Sequence, residues 1–156
     1  MSESATRVRE LLERLSTALG LGAAVEVLEE GGEIRGTLEG EDLGLFIGRH
    51  GQTIDAVQHL AFKVATRDSP PSSGIRVVVD AAGYRSRREQ VLQRQAEEAA
   101  EDAVRSGRPV ALDAMSAVER KVVHEHLKDR DDVETYSEGT EPDRHLVVAP
   151  LGPSGR

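Results

Sequence analysis

Cysteine is missing from all 156 residues, which removes disulfides and thiolate-held metal from the available chemistry and fits a reducing compartment. Tryptophan is missing too, and there are only two Phe and two Tyr. A sheet of stacking aromatics, the device of one large class of RNA-binding domain, therefore cannot be built here. No run approaches the ~20 consecutive apolar residues that a membrane-spanning helix needs, so no membrane insertion is expected. The opening Met1-Ser2-Glu3-Ser4-Ala5-Thr6-Arg7 lacks the basic flank and apolar stretch of a secretory leader, and the expected location is the cytoplasm. Positive charge is scarce: 20 Lys and Arg stand against 28 Asp and Glu, for a net charge of −8. Non-specific affinity for nucleic acid comes mainly from neutralised phosphates. This chain cannot coat a nucleic acid by bulk attraction, and such a ligand would need a local site on an acidic body.

What is present suits one modest core or two small ones. Val8, Leu11, Leu12, Leu15, Ala18 and Leu19 recur at helical spacing, which predicts a helix from Glu3 to Leu19, ended by Gly20 and Gly22. Two alternating runs, from Ala24 and from Glu33, flank Gly31-Gly32 and read as a hairpin. A very short helix, Leu43 to Ile47, is followed by Gly48-Arg49-His50-Gly51. A second helix then runs from Gln52 to about Arg67, with Ile54, Val57, Leu60, Ala61 and Val64 as its apolar stripe. A strand over 75–80 and a long helix from Tyr84 to about Arg105 come next. Ser106-Gly107-Arg108-Pro109 breaks the pattern and marks the expected domain boundary. Beyond it lie a short strand at 110–112, a helix at 116–128 with Ser116 and Glu119 as a capping box, and strands at 132–137 and 145–148. The Pro/Gly/Ser-rich segment 151–156 is expected to be a disordered tail.

The run Ile47-Gly48-Arg49-His50-Gly51-Gln52-Thr53-Ile54 joins two helices through two glycines that bracket two cation-capable residues. Glycine lets another backbone approach closely. The amides entering the second helix are unpaired donors at a positive dipole end, a setting that favours phosphate. Arg49 adds a permanent charge and His50 a switchable one. Ile47 and Ile54 would anchor the two helices. A P-loop is excluded, because no Gly-Lys-Ser/Thr follows. The pattern Ile-Gly-x-x-Gly-x-x-Ile resembles the signature of KH domains, whose GxxG loop clamps nucleic-acid backbone against a hydrophobic groove. By chance its four fixed positions would occur in roughly one of 300 chains of this length. The order of elements is similar to the prokaryotic KH arrangement. The resemblance implies a groove in which Ile34, Leu45, Ile54 and Val57 are wall, floor or core.

Arg120 and His124 stand four residues apart, about 40° from each other around one helix. Val118 and Val122 are expected to point the opposite way, toward a core, and Lys121 and Lys128 flank the pair. Such a face could hold a phosphate, or it could be a solvated surface answered by Glu119 and Glu125. The segment resembles the R-3H domain, named for Arg-three-His, which binds single-stranded nucleic acid. KH followed by R-3H, with Gly83-Tyr84-Arg85-Ser86-Arg87-Arg88-Glu89 between them, is similar to the Jag/KhpB family of bacterial RNA-binding proteins. Many members carry a further domain ahead of the KH module, which residues 1–156 do not include, so roles that depend on it do not carry over.

The resemblance implies an α+β fold: residues 1–22 a helix packing on the KH domain, 23–105 a KH domain of prokaryotic type with a three-stranded sheet and a long C-terminal helix, and 106–150 a small α/β R-3H domain. It implies single-stranded RNA binding, post-transcriptional regulation tied to cell elongation and division, and a small KH-only partner protein. The residues implied are Ile47, Gly48, Arg49, His50, Gly51, Gln52 and Ile54 in the first site and Arg120, Lys121 and His124 in the second. Arg85, Arg87 and Arg88 read either as a solvated helix or as a basic strip guiding one strand across both sites. No nucleophile turn or HExxH is present, and His124 and His126 do not share a face. The chain is therefore expected to use no metal or other cofactor and not to be an enzyme. Single-stranded DNA binding and a protein-interaction adaptor at membrane or ribosome are the competing readings.

Overall fold

The computed structural model describes residues 1–152 and divides the chain into two compact units, Met1–Arg85 and a second that begins at Ser86. The division falls twenty residues before the break expected at Ser106.

The first unit opens with α1 (Glu3–Ala18), started by Ser2, whose hydroxyl accepts the Ala5 N–H at 3.1 Å. Its buried Ala5, Val8 and Leu12 form the inward stripe. Strands β1 (Ala24–Glu30) and β2 (Glu33–Glu39) pair antiparallel with Glu30 opposite Glu33. Gly31 and Gly32, at φ 57° and 81°, supply the left-handed two-residue turn that matches strand twist. Ile34, Gly36 and Leu38 are the buried positions of β2. A Cβ on Gly36 would lie 2.4 Å from Leu12 Cδ1, so the glycine is what lets α1 lie close on the sheet. The chain then forms α2 (Gly44–Ile47), a single 3-10 turn (Arg49–Gly51) and α3 (Gln52–Ala65) before returning as β3 (Arg76–Ala81). Strand β3 lies parallel to β2, giving the order β1-β2-β3. Phe46, Ile54, Val57, Ala61, Val77 and Val79 complete the core with α1. Leu60, expected in the α3 stripe, is 50 % exposed; Ala65 closes the buried face instead.

The second unit takes nearly all of α4 (Tyr84–Ser106), then β4 (Val110–Ala111), α5 (Ala117–Leu127), β5 (Val133–Glu138) and β6 (His145–Pro150). The sheet order is β4-β6-β5, antiparallel throughout. Leu92, Ala96, Ala99, Ala100 and Ala103 of α4 are buried with Val123, Leu127, Val133, Leu146 and Val148. That alanine-rich face is why the long helix, expected to end the first domain, belongs to the core of the second. The Leu151 N–H donates to the Asp132 carbonyl at 2.9 Å, so the expected tail begins tethered; its residues 153–156 lie outside the described residues. Among the described residues no helix is long and apolar enough to cross a membrane.

Candidate nucleic-acid interface

In the first unit, Gly48 ends α2. Its N–H donates to the Gly44 carbonyl at 2.8 Å, and its backbone turns to φ 75°, ψ 176°. A Cβ there would lie 2.2 Å from Thr53 Oγ1. Gly51 is buried at φ 77° and serves as the N-cap of α3 without any side-chain acceptor. A Cβ on Gly51 would meet the Tyr84 hydroxyl at 2.7 Å. Both glycines are thus required twice, by conformation and by space. Between them Arg49 and His50 are exposed, with His50 itself left-handed at φ 54°. Among the described residues neither side chain enters an ion pair or hydrogen bond. The result is two cation-capable groups at the tip of a turn whose inner side is fixed by packing, next to the uncapped amide end of a fourteen-residue helix.

The structure redistributes the other residues named for this site. Gln52 is exposed and Ile47 half-buried against the core. Ile54 is 0 % exposed and anchors α3 in the core. Of the four residues suggested for a groove, Ile34, Ile54 and Val57 are core, and only Leu45, 63 % exposed, reaches the surface.

In the second unit the helix α5 is rotated relative to expectation. Val118 is 75 % exposed, whereas Arg120, Val123 and Leu127 are buried. The Arg120 side chain runs inward and spends its guanidinium on main chain and one acid: Nη1 donates to the carbonyls of Met115 at 2.6 Å and Arg144 at 3.5 Å, and Nη2 to Glu141 at 2.9 Å. An arginine can bury its stem in this way when carbonyls receive its head. Arg120 is therefore the floor of the site and not a free surface cation. Lys121 and His124 are exposed, and His124 Nδ1 is hydrogen-bonded to the Thr135 hydroxyl, which orients the ring. These residues, with Ser137 and Arg144, line a groove of about 440 Å³. Arg144 is held in turn by the Gly139 carbonyl at 2.7 Å. Thr135, Arg144 and Glu141 were not singled out by sequence, since a lone hydroxyl on a strand or a lone charge in a polar loop carries no periodic signal.

The expected basic strip is pinned down. Arg85, in the first unit, donates to the Val79 carbonyl at 2.7 Å, Asp55 at 3.0 Å and Gln58 at 3.1 Å. Arg88, in the second, pairs with Glu119 at 2.8 Å. Arg87 is exposed. Two of the three arginines are therefore structural ties within separate units, because carboxylates and a strand carbonyl lie within reach of them. Among the described residues no group of three or more His, Asp or Glu could hold a metal ion.

Comparison with known proteins adds two family matches. Residues 8–80 match the KhpA/KhpB KH domain and residues 90–150 the R-3H domain. The chain is similar to the RNA-binding protein KhpB of Clostridium symbiosum, 36% identical over 142 residues, covering 90% of this chain and 63% of that protein. It is 42% identical over 106 residues to the RNA-binding protein KhpB of Lactiplantibacillus plantarum, covering 68% of this chain and 32% of that one. Against the RNA-binding protein KhpB of Bacillus subtilis it is 31% identical over 140 residues, covering 88% of this chain and 66% of that protein. The chain thus spans between about a third and two thirds of the length of these relatives.

Proposed function

Since the chain belongs to the Jag/KhpB family, with a KH domain followed by an R-3H domain, we propose that it is a non-enzymatic, single-stranded RNA-binding protein with one site in each unit. The observation that carries this reading is the turn at residues 48–51. Glycine geometry there presents Arg49 and His50 to solvent with no carboxylate on either. On a chain of net charge −8, two uncompensated cation-capable groups beside a helix N-terminus are the place where a sugar-phosphate chain is favoured. The second site is the α5–β5 groove, with Lys121 and His124 at its surface. Regulation of transcripts connected with cell elongation and division, in the cytoplasm and with a small KH-only protein as partner, is the cellular role this reading carries.

The test is a titration of the full chain with a labelled single-stranded RNA. Replacing both Arg49 and His50 by Asp is expected to leave the circular dichroism spectrum unchanged and weaken binding at least tenfold. A folded double variant with parental affinity would remove the clamp from the account. Competition with a DNA oligonucleotide of the same sequence reports whether the 2′-hydroxyl is read. The net charge also favours a second reading, an adaptor for a protein partner; a folded parent that binds no RNA at low salt would select it.

A further inference from the structure

We propose that Glu141 is a built-in occupant of the second site: its carboxylate holds the place on Arg120 that a nucleic-acid phosphate takes, and it thereby sets the affinity of the groove and the ionic strength at which the groove opens. The proposal rests on the reading of that groove as a nucleic-acid site.

The Arg120 side chain is 10% exposed while that of Glu141 is 61% exposed. One terminal nitrogen of the guanidinium is committed to the carbonyls of Met115 and Arg144. The other, Nη2, makes a single contact at 2.9 Å with Glu141 Oε1. The carboxylate thus sits on the terminal nitrogen that main chain does not use, and it comes from the loop between β5 and β6 with most of its own surface in water. The arginine is buried but its carboxylate partner lies mostly in water, which screens the pair and leaves the carboxylate free to be exchanged.

The surroundings favour the exchange. Lys121, His124 and Arg144 line the groove, and among the described residues no carboxylate does. Glu141 at the rim is therefore the anion that answers Arg120. A phosphate oxygen accepting from Nη2 conserves charge on Arg120, releases Glu141 to solvent, and brings Lys121 into a second contact that Glu141 does not supply. A charge-assisted bond from guanidinium to phosphate is at least as strong as one to carboxylate. The competition lowers affinity for any single phosphate and spares strands that also engage the neighbouring cations.

The experiment uses the full chain carrying Arg49→Asp and His50→Asp, so that the groove is read alone, and a fluorescein-labelled single-stranded oligouridylate between about 50 and 300 mM salt. Glu141→Gln removes the competing charge. Glu141→Asp keeps the charge and shortens its reach. Glu134→Gln, on β5 and without an ionic partner among the described residues, makes the same change of net charge elsewhere. Glu141→Gln is expected to bind about three- to tenfold tighter at low salt, with a steeper salt dependence. Glu141→Asp should also bind tighter than its parent, and Glu134→Gln should change binding less than about twofold. Equal gains from Glu134→Gln and Glu141→Gln, or no gain from Glu141→Gln in a protein with a parental melting curve, overturn the proposal. A melting curve lowered for Glu141→Gln moves the decision to Glu141→Asp, where affinity at or below the parent overturns it. Absence of binding in every one of these proteins sinks the nucleic-acid reading of the groove and this proposal with it, whereas binding that ignores Glu141 sinks the proposal alone.

Discussion

Gly48 carries two constraints in one residue. Its φ of 75° with ψ of 176° is a combination essentially restricted to glycine, and its missing side chain leaves the space that Thr53 fills. Gly48→Ala is expected to cost about 2–4 kcal/mol, lowering the melting temperature by roughly 10 °C or more. Adding Thr53→Ala should recover only part of this, since the new Cβ would still lie 2.8 Å from Thr53 Cβ and 2.9 Å from its nitrogen. Thermal melting followed by circular dichroism reads both effects; a single variant as stable as the parent would show that the turn is softer than its geometry implies. The need for glycine here was legible in sequence, because two glycines at fixed spacing between apolar anchors have few other uses. Arg120 stood out in the sequence as a candidate, but nothing there marked it as buried. Helical phase alone places it opposite Val118 and Val122, and nothing in the sequence announces that the carbonyls of Met115 and Arg144 await a donor. The competition between an apolar stripe and an arginine with waiting acceptors is settled only once the loops fold over the helix.

Among the elements, α4 shows where pattern reading stops. Its existence and both ends were plain from Tyr84 and from the Ser106-Gly107 break, and the structure places it at Tyr84–Ser106. Its allegiance was not plain, because alanines weigh little in a hydrophobic pattern. Four of the five buried residues on its inner face are alanine, and they share one core cluster with Leu146 and Val148 of the second sheet. The break at Ser106 therefore ends a helix, not a domain. The same packing makes a prediction. Ala100 is 0 % exposed, so Ala100→Leu forces extra volume into a closed interface and is expected to destabilise the protein by about 1–3 kcal/mol. Val104, one turn further and 45% exposed, should accept alanine within about 0.5 kcal/mol. Urea melts of the two variants check the pair. If Ala100→Leu proved as neutral as Val104→Ala, α4 would not be part of the core to which its burial assigns it.

For the molecule as a whole, charge decides the style of binding. A body of net −8 gains nothing from bulk neutralisation, and at about 0.1 M salt its surface acids are felt only within roughly 10 Å. Affinity must come from cations placed locally, and those of the two proposed sites are the candidates. The permanent charges there are Arg49 at the proposed first site and Lys121 and Arg144 at the proposed second. Each phosphate neutralised on a single strand contributes roughly −0.7 to the slope of log affinity against log salt. Three contacts therefore predict a slope near about −2, far shallower than that of a protein that coats nucleic acid. Loss of the first site through Arg49→Asp and His50→Asp should flatten it by about 0.7, while the remaining slope belongs to the groove. Titrations at four or five salt concentrations measure both numbers. A parental slope near zero would mean that no phosphate is gripped, and one steeper than about −5 would require phosphate contacts well beyond the two proposed sites.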